Sequence, residues 1–265
     1  MERARRYTAT VRLFDTHCHL NDAKAFPDPA AAIEEARRAG VDRLAIVGVD
    51  EESSRRALEI AESHEGVYAI VGWHPTSAAS YTGTRGIEEM LKSPKAVAVG
   101  EVGLDFYWDK STPEEQYRCL SDHLDLAAQV GKPVVFHCRD ANDELLTFLE
   151  GRAAHAYLFH CFSGDQSHAD HAVALGAVLG VDGPITYPKN DALRAIFARA
   201  PRDRIVVETD SPYMSPVPYR GKPNRPAWVV NVNQALAGVL GVTAEECAEL
   251  TTANAERFFG VTSDV

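Results

Sequence analysis

Eight short apolar, β-branched runs recur along the 265-residue chain, and amphipathic stretches of helical character lie between them. The runs are RLFDTH (12–17), RLAIVGV (43–49), VYAIVG (67–72), AVAVGE (96–101), PVVFHC (133–138), AYLFHC (156–161), AVLGV (177–181) and RIVVETD (204–210). They are almost continuously hydrophobic, as parallel strands covered on both faces must be. The intervening segments carry helix punctuation. DPAAAIEEARRAG (28–40) has Pro29 near its start and Gly40 past its end. TPEEQYRCLSDHLDLAAQVG (112–131) opens on a Thr cap and closes on Gly131. SHADHAVALG (167–176) and NDALRAIFARA (190–200) open on Ser167 and Asn190, and two further helices are expected near 225–240 and 243–259. Eight strands alternating with helices over about 250 residues match an α/β fold of the (β/α)8 TIM-barrel type. The chain is expected to form one domain over 1–265, with 1–10 as a flexible tail. The competing architecture, a doubly wound open sheet, would spread the strand ends along a crevice instead of gathering them at one point.

In a barrel the chemistry sits at the C-terminal ends of the strands. His17 and His19 close the first run, two residues apart, so an extended chain turns both to one face. GWHP follows the third run and supplies His74. The fourth ends in Glu101, the fifth and sixth in His137 and His160, and the eighth reaches Asp210. Neutral imidazoles and carboxylates bind borderline to hard cations, and one carboxylate can bridge two ions roughly 3.5–4 Å apart. The set therefore suits a pair of divalent metal ions. Such a His-rich set can collect Zn²⁺, Mn²⁺ or Ni²⁺ during purification. Cys18, Cys138 and Cys161 each follow a proposed ligand, and strand alternation turns them away into the layer between barrel and helices. His168 and His171, at helical spacing, are read as solvated surface.

The net charge of −11 argues against nucleic-acid binding through overall positive charge. Local cations must hold any anionic substrate. Arg139 and the basic stretch YRGKPNRP, with Lys222, Asn224 and Arg225, are candidate substrate contacts, and Tyr81, Tyr107, Trp108 and Tyr213 can stack on unpaired bases. Five cysteines with no CxxC spacing, and no apolar signal region in MERARRYTAT, make a reducing cytoplasm the expected location. No run approaches the roughly 18 apolar residues of a membrane span. Neither membrane association nor an obligatory protein partner is expected.

FDTHCHL, GWHP, GEVGLDF, FHCR, FHCFSG and ETDSPY, in this order, resemble the TatD family of metal-dependent deoxyribonucleases, over about residues 12–260. The resemblance implies His17, His19 and Asp210 on one ion, His137 and His160 on the other, and Glu101 bridging. It places His74 against the substrate phosphate. It implies Mg²⁺-supported hydrolysis of DNA, often 3′→5′ on single strands, by a water that the two metals activate, with Asp210 as general base. In GKPNRP, Pro223 and Arg225 stand where the family commonly has a basic and an acidic residue. Many binuclear amidohydrolases bridge their metals with a carboxylated lysine, but here Lys95 lies at the far end of the strand that carries Glu101. The same ligand set would serve an ester or amide hydrolase, such as a D-aminoacyl-tRNA deacylase. A non-catalytic scaffold would lack at least one ligand.

Overall fold

The computed structural model describes residues 12–153 and 155–262. The tail expected over residues 1–10 lies outside them. Eight strands form one parallel sheet in chain order: β1 (Leu13–Cys18), β2 (Val41–Val47), β3 (Val67–Val71), β4 (Ala96–Asp105), β5 (Val134–Arg139), β6 (Tyr157–Phe159), β7 (Val178–Val181) and β8 (Ile205–Val207). The segment after β8 returns to β1. The Asp210 N–H donates to the His17 carbonyl at 2.9 Å, and the His19 N–H to the Ser211 carbonyl at 2.8 Å. This seam nearly closes the barrel, and the open-sheet alternative is excluded.

Nine helices are described: α1 (Pro29–Arg38), α2 (Glu51–Glu62), α3 (Arg85–Met90), α4 (Pro113–Val130), α5 (Asn142–Glu150), α6 (Gln166–Ala174), α7 (Asp191–Arg199), α8 (Val229–Leu240) and α9 (Ala244–Phe259). The cap chemistry explains several of the boundaries. Thr112 and Glu115 form a reciprocal capping box at the start of α4, and Gly131 ends it in a left-handed conformation. Two expected caps differ. α6 starts at Asp165, whose carboxylate accepts from the His168 N–H, so Ser167 is already helical. Asn190 does precede α7, but its amide donates to the Pro184 carbonyl.

Two apolar layers hold the barrel. Phe14, Val47, Ile70, Ala98, Val135, Leu158, Val178 and Val206 pack together, with Phe259 of α9 against them. A larger cluster, including Leu44, Val71, Leu104, Phe136, Leu179 and Val207, packs the strands onto the helices. Irregularities in pairing interrupt β1 between Asp15 and Cys18 and β4 between Val99 and Val102. Such bulges re-aim side chains. They let Phe14 and His17, three residues apart, share the interior face, and likewise Ala98 and Glu101. Gly103 has a φ of 146°, and a Cβ there would run into the His137 carbonyl, so only glycine lets β4 and β5 meet beside the site.

Candidate metal centre

The predicted ligands His17, His137 and His160 gather with His74 around Glu101, whose two oxygens face different neighbours. Oε2 lies 3.4 Å from His17 Nε2. Oε1 lies 2.7 Å from His160 Nε2, 2.9 Å from His137 Nδ1 and 3.6 Å from His74 Nε2. Asp210 Oδ1 sits 3.3 Å from His19 Nε2 and 3.9 Å from His17 Nε2. Among the described residues, three donor groups are compact enough for a cation: His17, His19 and Asp210; His17, Glu101 and His160; and His74, Asp105 and His137.

The donor chemistry fits divalent metal. Both nitrogens of the buried His17 lack a hydrogen-bond partner. His19 Nδ1 lies 3.1 Å from the Val47 carbonyl, which can only accept. The ring proton therefore sits on Nδ1, and the Nε2 lone pair is aimed at Asp210. Burial opposes ionisation of Glu101, but the charge of His160 and the hydrogen bond from His137 help outweigh it and hold the carboxyl well below its usual range. Asp210 is likewise held low, by His19 and His160 against the effect of burial. Burial also disfavours the imidazolium of His160, yet Glu101 prevails and draws a proton onto that ring. Positive charge is thus drawn to the nitrogens from which a divalent cation displaces protons.

Sequence reasoning placed Glu101 at the end of its strand, but β4 runs four residues further, to Asp105. Asp105 was missed for that reason, although GEVGLDF contains it. Its Oδ2 lies 2.9 Å from His137 Nε2, so His137 is held between two carboxylates. Glu208, in ETD, was also missed. It is fully buried, accepts from the Cys161 N–H and from Thr16 Oγ1, and lies 3.6 Å from His160 Nδ1. It stands behind His160 as a second carboxylate that favours its imidazolium. Gly180 leaves room for it, since a Cβ there would come within 2.6 Å of the Glu208 carboxylate.

The expected substrate contacts divide. His74 stands at the centre. The Thr76 N–H donates to His74 Nδ1 at 3.1 Å, so the neutral ring carries its proton on Nε2, facing Glu101. Burial, with His137 nearby, pushes the His74 pKa down to about 3, which keeps that ring neutral. Arg139 is exposed at the end of β5, and Lys222 is exposed in the loop after β8. Asn224 ties the loop after β8 together. It is 1% exposed, and its amide donates to the Thr209 and Tyr213 carbonyls at 2.8 and 2.7 Å. The Arg225 guanidinium pairs with Glu35 of α1 at 2.9 Å. Tyr81 belongs to the core, with its hydroxyl on Asp122, whereas Tyr107, Trp108 and Tyr213 are exposed. Lys95 donates to the His64 and Val67 carbonyls at the opposite end of the barrel, so it plays no bridging part.

Cys18 packs in the layer between strands and helices, and Cys138 packs against it. Cys161 does not. The chain leaves β6 at Phe159, so strand alternation no longer applies, and Cys161 adopts a φ of 47°. Its thiol donates to Asp182 Oδ2 at 2.9 Å, beside a cavity of about 470 Å³ that includes Phe162, Leu193 and Met214 in its walls. None of the three cysteines belongs to a donor group. Alanine at any of them is expected to leave the metal-to-protein ratio from elemental analysis unchanged. A lost ion would place that thiol among the ligands.

Burial pushes the Asp182 carboxyl up to about 8, against the pull of the Cys161 hydrogen bond. Unfolded, it titrates near about 3.9. Between those values the folded chain binds more protons, so this group makes stability fall as pH rises from about 4 to about 8. In metal-free protein, Asp182→Asn should flatten that slope in urea unfolding between pH 5 and 8. An unchanged slope would mean that Asp182 stays ionised.

Comparison with known proteins agrees with the geometry. The model of the TatD related DNase family matches residues 14–260. The chain belongs to the TatD DNase family. Like other TatD family members, it is a metal-dependent hydrolase. It is 37% identical over 253 residues to the uncharacterized metal-dependent hydrolase YabD of Bacillus subtilis, covering 94% of this chain and 99% of that one. It is 32% identical over 257 residues to the 3′-5′ ssDNA/RNA exonuclease TatD of Pectobacterium parmentieri, covering 93% and 99%. The crystal structure of the TatD homologue YjjV from Escherichia coli superposes with a TM-score of 0.89 at 32% identity, covering 95% and 99%.

Proposed function

We propose that this TatD family hydrolase cleaves phosphodiester bonds of DNA, acting 3′→5′ on single strands, with two divalent cations. The observation that carries the reading is Glu101, with one oxygen toward His17 and the other toward His137 and His160. His17, His19 and Asp210 would hold one ion, His137 and His160 the other, and Glu101 both. Bound there, the cations would polarise a phosphoryl group and make a water acidic at neutral pH. The chain's own groups do the rest. Asp210, held ionised by His19 and His160, accepts the proton of the attacking water. His74 presents its Nε2 proton to a phosphoryl oxygen, in the tautomer that Thr76 imposes. Asp105 and Glu208 keep the His137 and His160 rings in place. The names of the pectobacterial and other relatives, ssDNA/RNA exonucleases, support the substrate class.

We place the enzyme in the cytoplasm. Its five cysteines are all free, and no single described helix is long and apolar enough to cross a membrane. The deciding assay uses 3′- and 5′-labelled single-stranded DNA and RNA across a series of divalent metals. Stepwise shortening of DNA from its 3′ end is expected. Intact strands together with cleavage of an aminoacyl ester would transfer the site to acyl chemistry.

A polynucleotide approaching an acidic protein needs local cations, and in the loop after β8 Arg225 is already paired. Lys222 is exposed. Lys222→Ala should weaken single-strand binding and lower its log–log salt slope by close to about one unit. An unchanged slope would make Lys222 solvated surface. Arg225→Glu sets a second carboxylate against Glu35 of α1 and is expected to lower the unfolding midpoint.

A further inference from the structure

Three consecutive aromatic residues, Phe106, Tyr107 and Trp108, follow β4 directly, and they are 36%, 52% and 48% exposed. Large aromatic side chains held in water cost stability unless something covers them. They are nevertheless held firmly. Asp105 Oδ1 accepts from the Tyr107 and Trp108 N–H groups, both at 3.0 Å, and the Phe106 N–H donates to the Arg139 carbonyl at 3.0 Å. Gln116 clasps the Asp105 backbone on both sides, at 2.8 and 3.0 Å. The other Asp105 oxygen lies 2.9 Å from His137 Nε2. One carboxylate thus sets the aromatic loop and the metal-centre imidazole in a single frame.

Two cations lie over these rings in a protein whose net charge is −11. The Arg139 guanidinium lies 3.8 Å from the Tyr107 ring centroid and 5.7 Å from that of Trp108, and Lys110 Nζ is 5.6 Å from the Trp108 centroid. Flat π-surface interleaved with cations fits a ligand that alternates flat rings with negative charge. An unpaired nucleotide strand has that pattern, whereas a duplex hides its bases against one another. An apolar protein partner would leave Arg139 and Lys110 facing no anion.

We infer that Tyr107, Trp108 and Arg139 form a stacking subsite for an unpaired base of the substrate strand, adjoining the metal centre, with Asp105 as the residue that positions it. The inference rests on the phosphodiesterase reading. It also supplies a physical reason for a single-strand preference.

The test compares two strands of equal length, oligothymidylate and a fully abasic tetrahydrofuran strand that keeps the phosphates and lacks the bases. With the wild-type enzyme the KM for oligothymidylate should be the lower. Trp108→Ala should raise the KM for oligothymidylate about tenfold. The KM for the abasic strand should rise by far less, and kcat should change little in comparison. Trp108→Phe, which keeps a stacking ring, should restore most of the loss. Arg139→Ala should raise KM for both strands, because it also meets phosphate. Equal KM rises for the two strands with Trp108→Ala, or no rise for either, would overturn the subsite while leaving the nuclease reading intact. A wild-type enzyme that cuts neither strand would overturn the nuclease reading and the subsite with it.

Discussion

Glu101→Ala is expected to abolish hydrolysis and to lower the metal content to at most one ion per chain. Glu101 is the carboxylate on which four imidazoles converge, and its two oxygens face different sides of the cluster. Its loss leaves His160 and His137 with no anion between them, so their mutual repulsion would push protons or cations away. Losing a bridging ligand should remove several kcal/mol of stabilisation from the reaction, or at least about 1000-fold in rate. The fold should survive, because Glu101 lies in a polar cluster and the two apolar layers are built without it. Elemental analysis that finds two tightly held ions in the variant would end the bridging assignment. Circular dichroism should match the wild type, which separates loss of metal from loss of structure.

Asp210→Asn carries the second large effect, and it divides ligand from base. Asparagine keeps an oxygen near His19 and His17 but cannot take a proton from water. The rate should fall by at least about 100-fold, while metal content falls much less. The pH profile offers a further check. Burial alone would raise the Asp210 pKa, but His19 and His160 hold it below the usual carboxylate value. Activity should therefore not require high pH for deprotonation of this base. Near-normal turnover of Asp210→Asn with Mg²⁺ would remove Asp210 from the mechanism. Asp210 has a φ of 52° and lies just beyond β8, its backbone N–H tied to the His17 carbonyl. That seam holds the base beside the first histidine pair, and Asp15 reinforces it by accepting from the Thr209 N–H and hydroxyl at 2.8 and 2.6 Å.

The barrel was legible because its signals are local. A parallel strand buried on both faces must be apolar throughout, and a helix start needs a side-chain acceptor for its free N–H groups. Each can be read within a dozen residues, as Thr112–Glu115 and Gly131 show. The histidines were legible for a related reason: barrel geometry converts a position at a strand end into a position at the mouth. The failures share a cause as well. Asp105 was passed over because β4 was taken to stop at Glu101, and the bulge between Val99 and Val102 has no sequence signature of its own. Cys161 was assigned to a strand that ends two residues earlier. The partners of Asn224 and Arg225 lie elsewhere in the chain. Arg225 meets Glu35 across 190 positions, and a local pattern cannot show such a pairing.

The sequence by itself therefore determined the alternation of strands and helices and the family, and it offered six side chains as metal ligands, all of which lie in donor groups. Each depends on residue type and nearest neighbours. Only the tertiary structure decided how those side chains are arranged: which Glu101 oxygen meets which imidazole, that Asp105 and Glu208 stand behind His137 and His160, and that Arg225 pairs with Glu35. Those relations join segments as distant as Asp15 and Thr209, 194 positions apart. They depend on bulges that turn a side chain to the other face by the shift of a single residue.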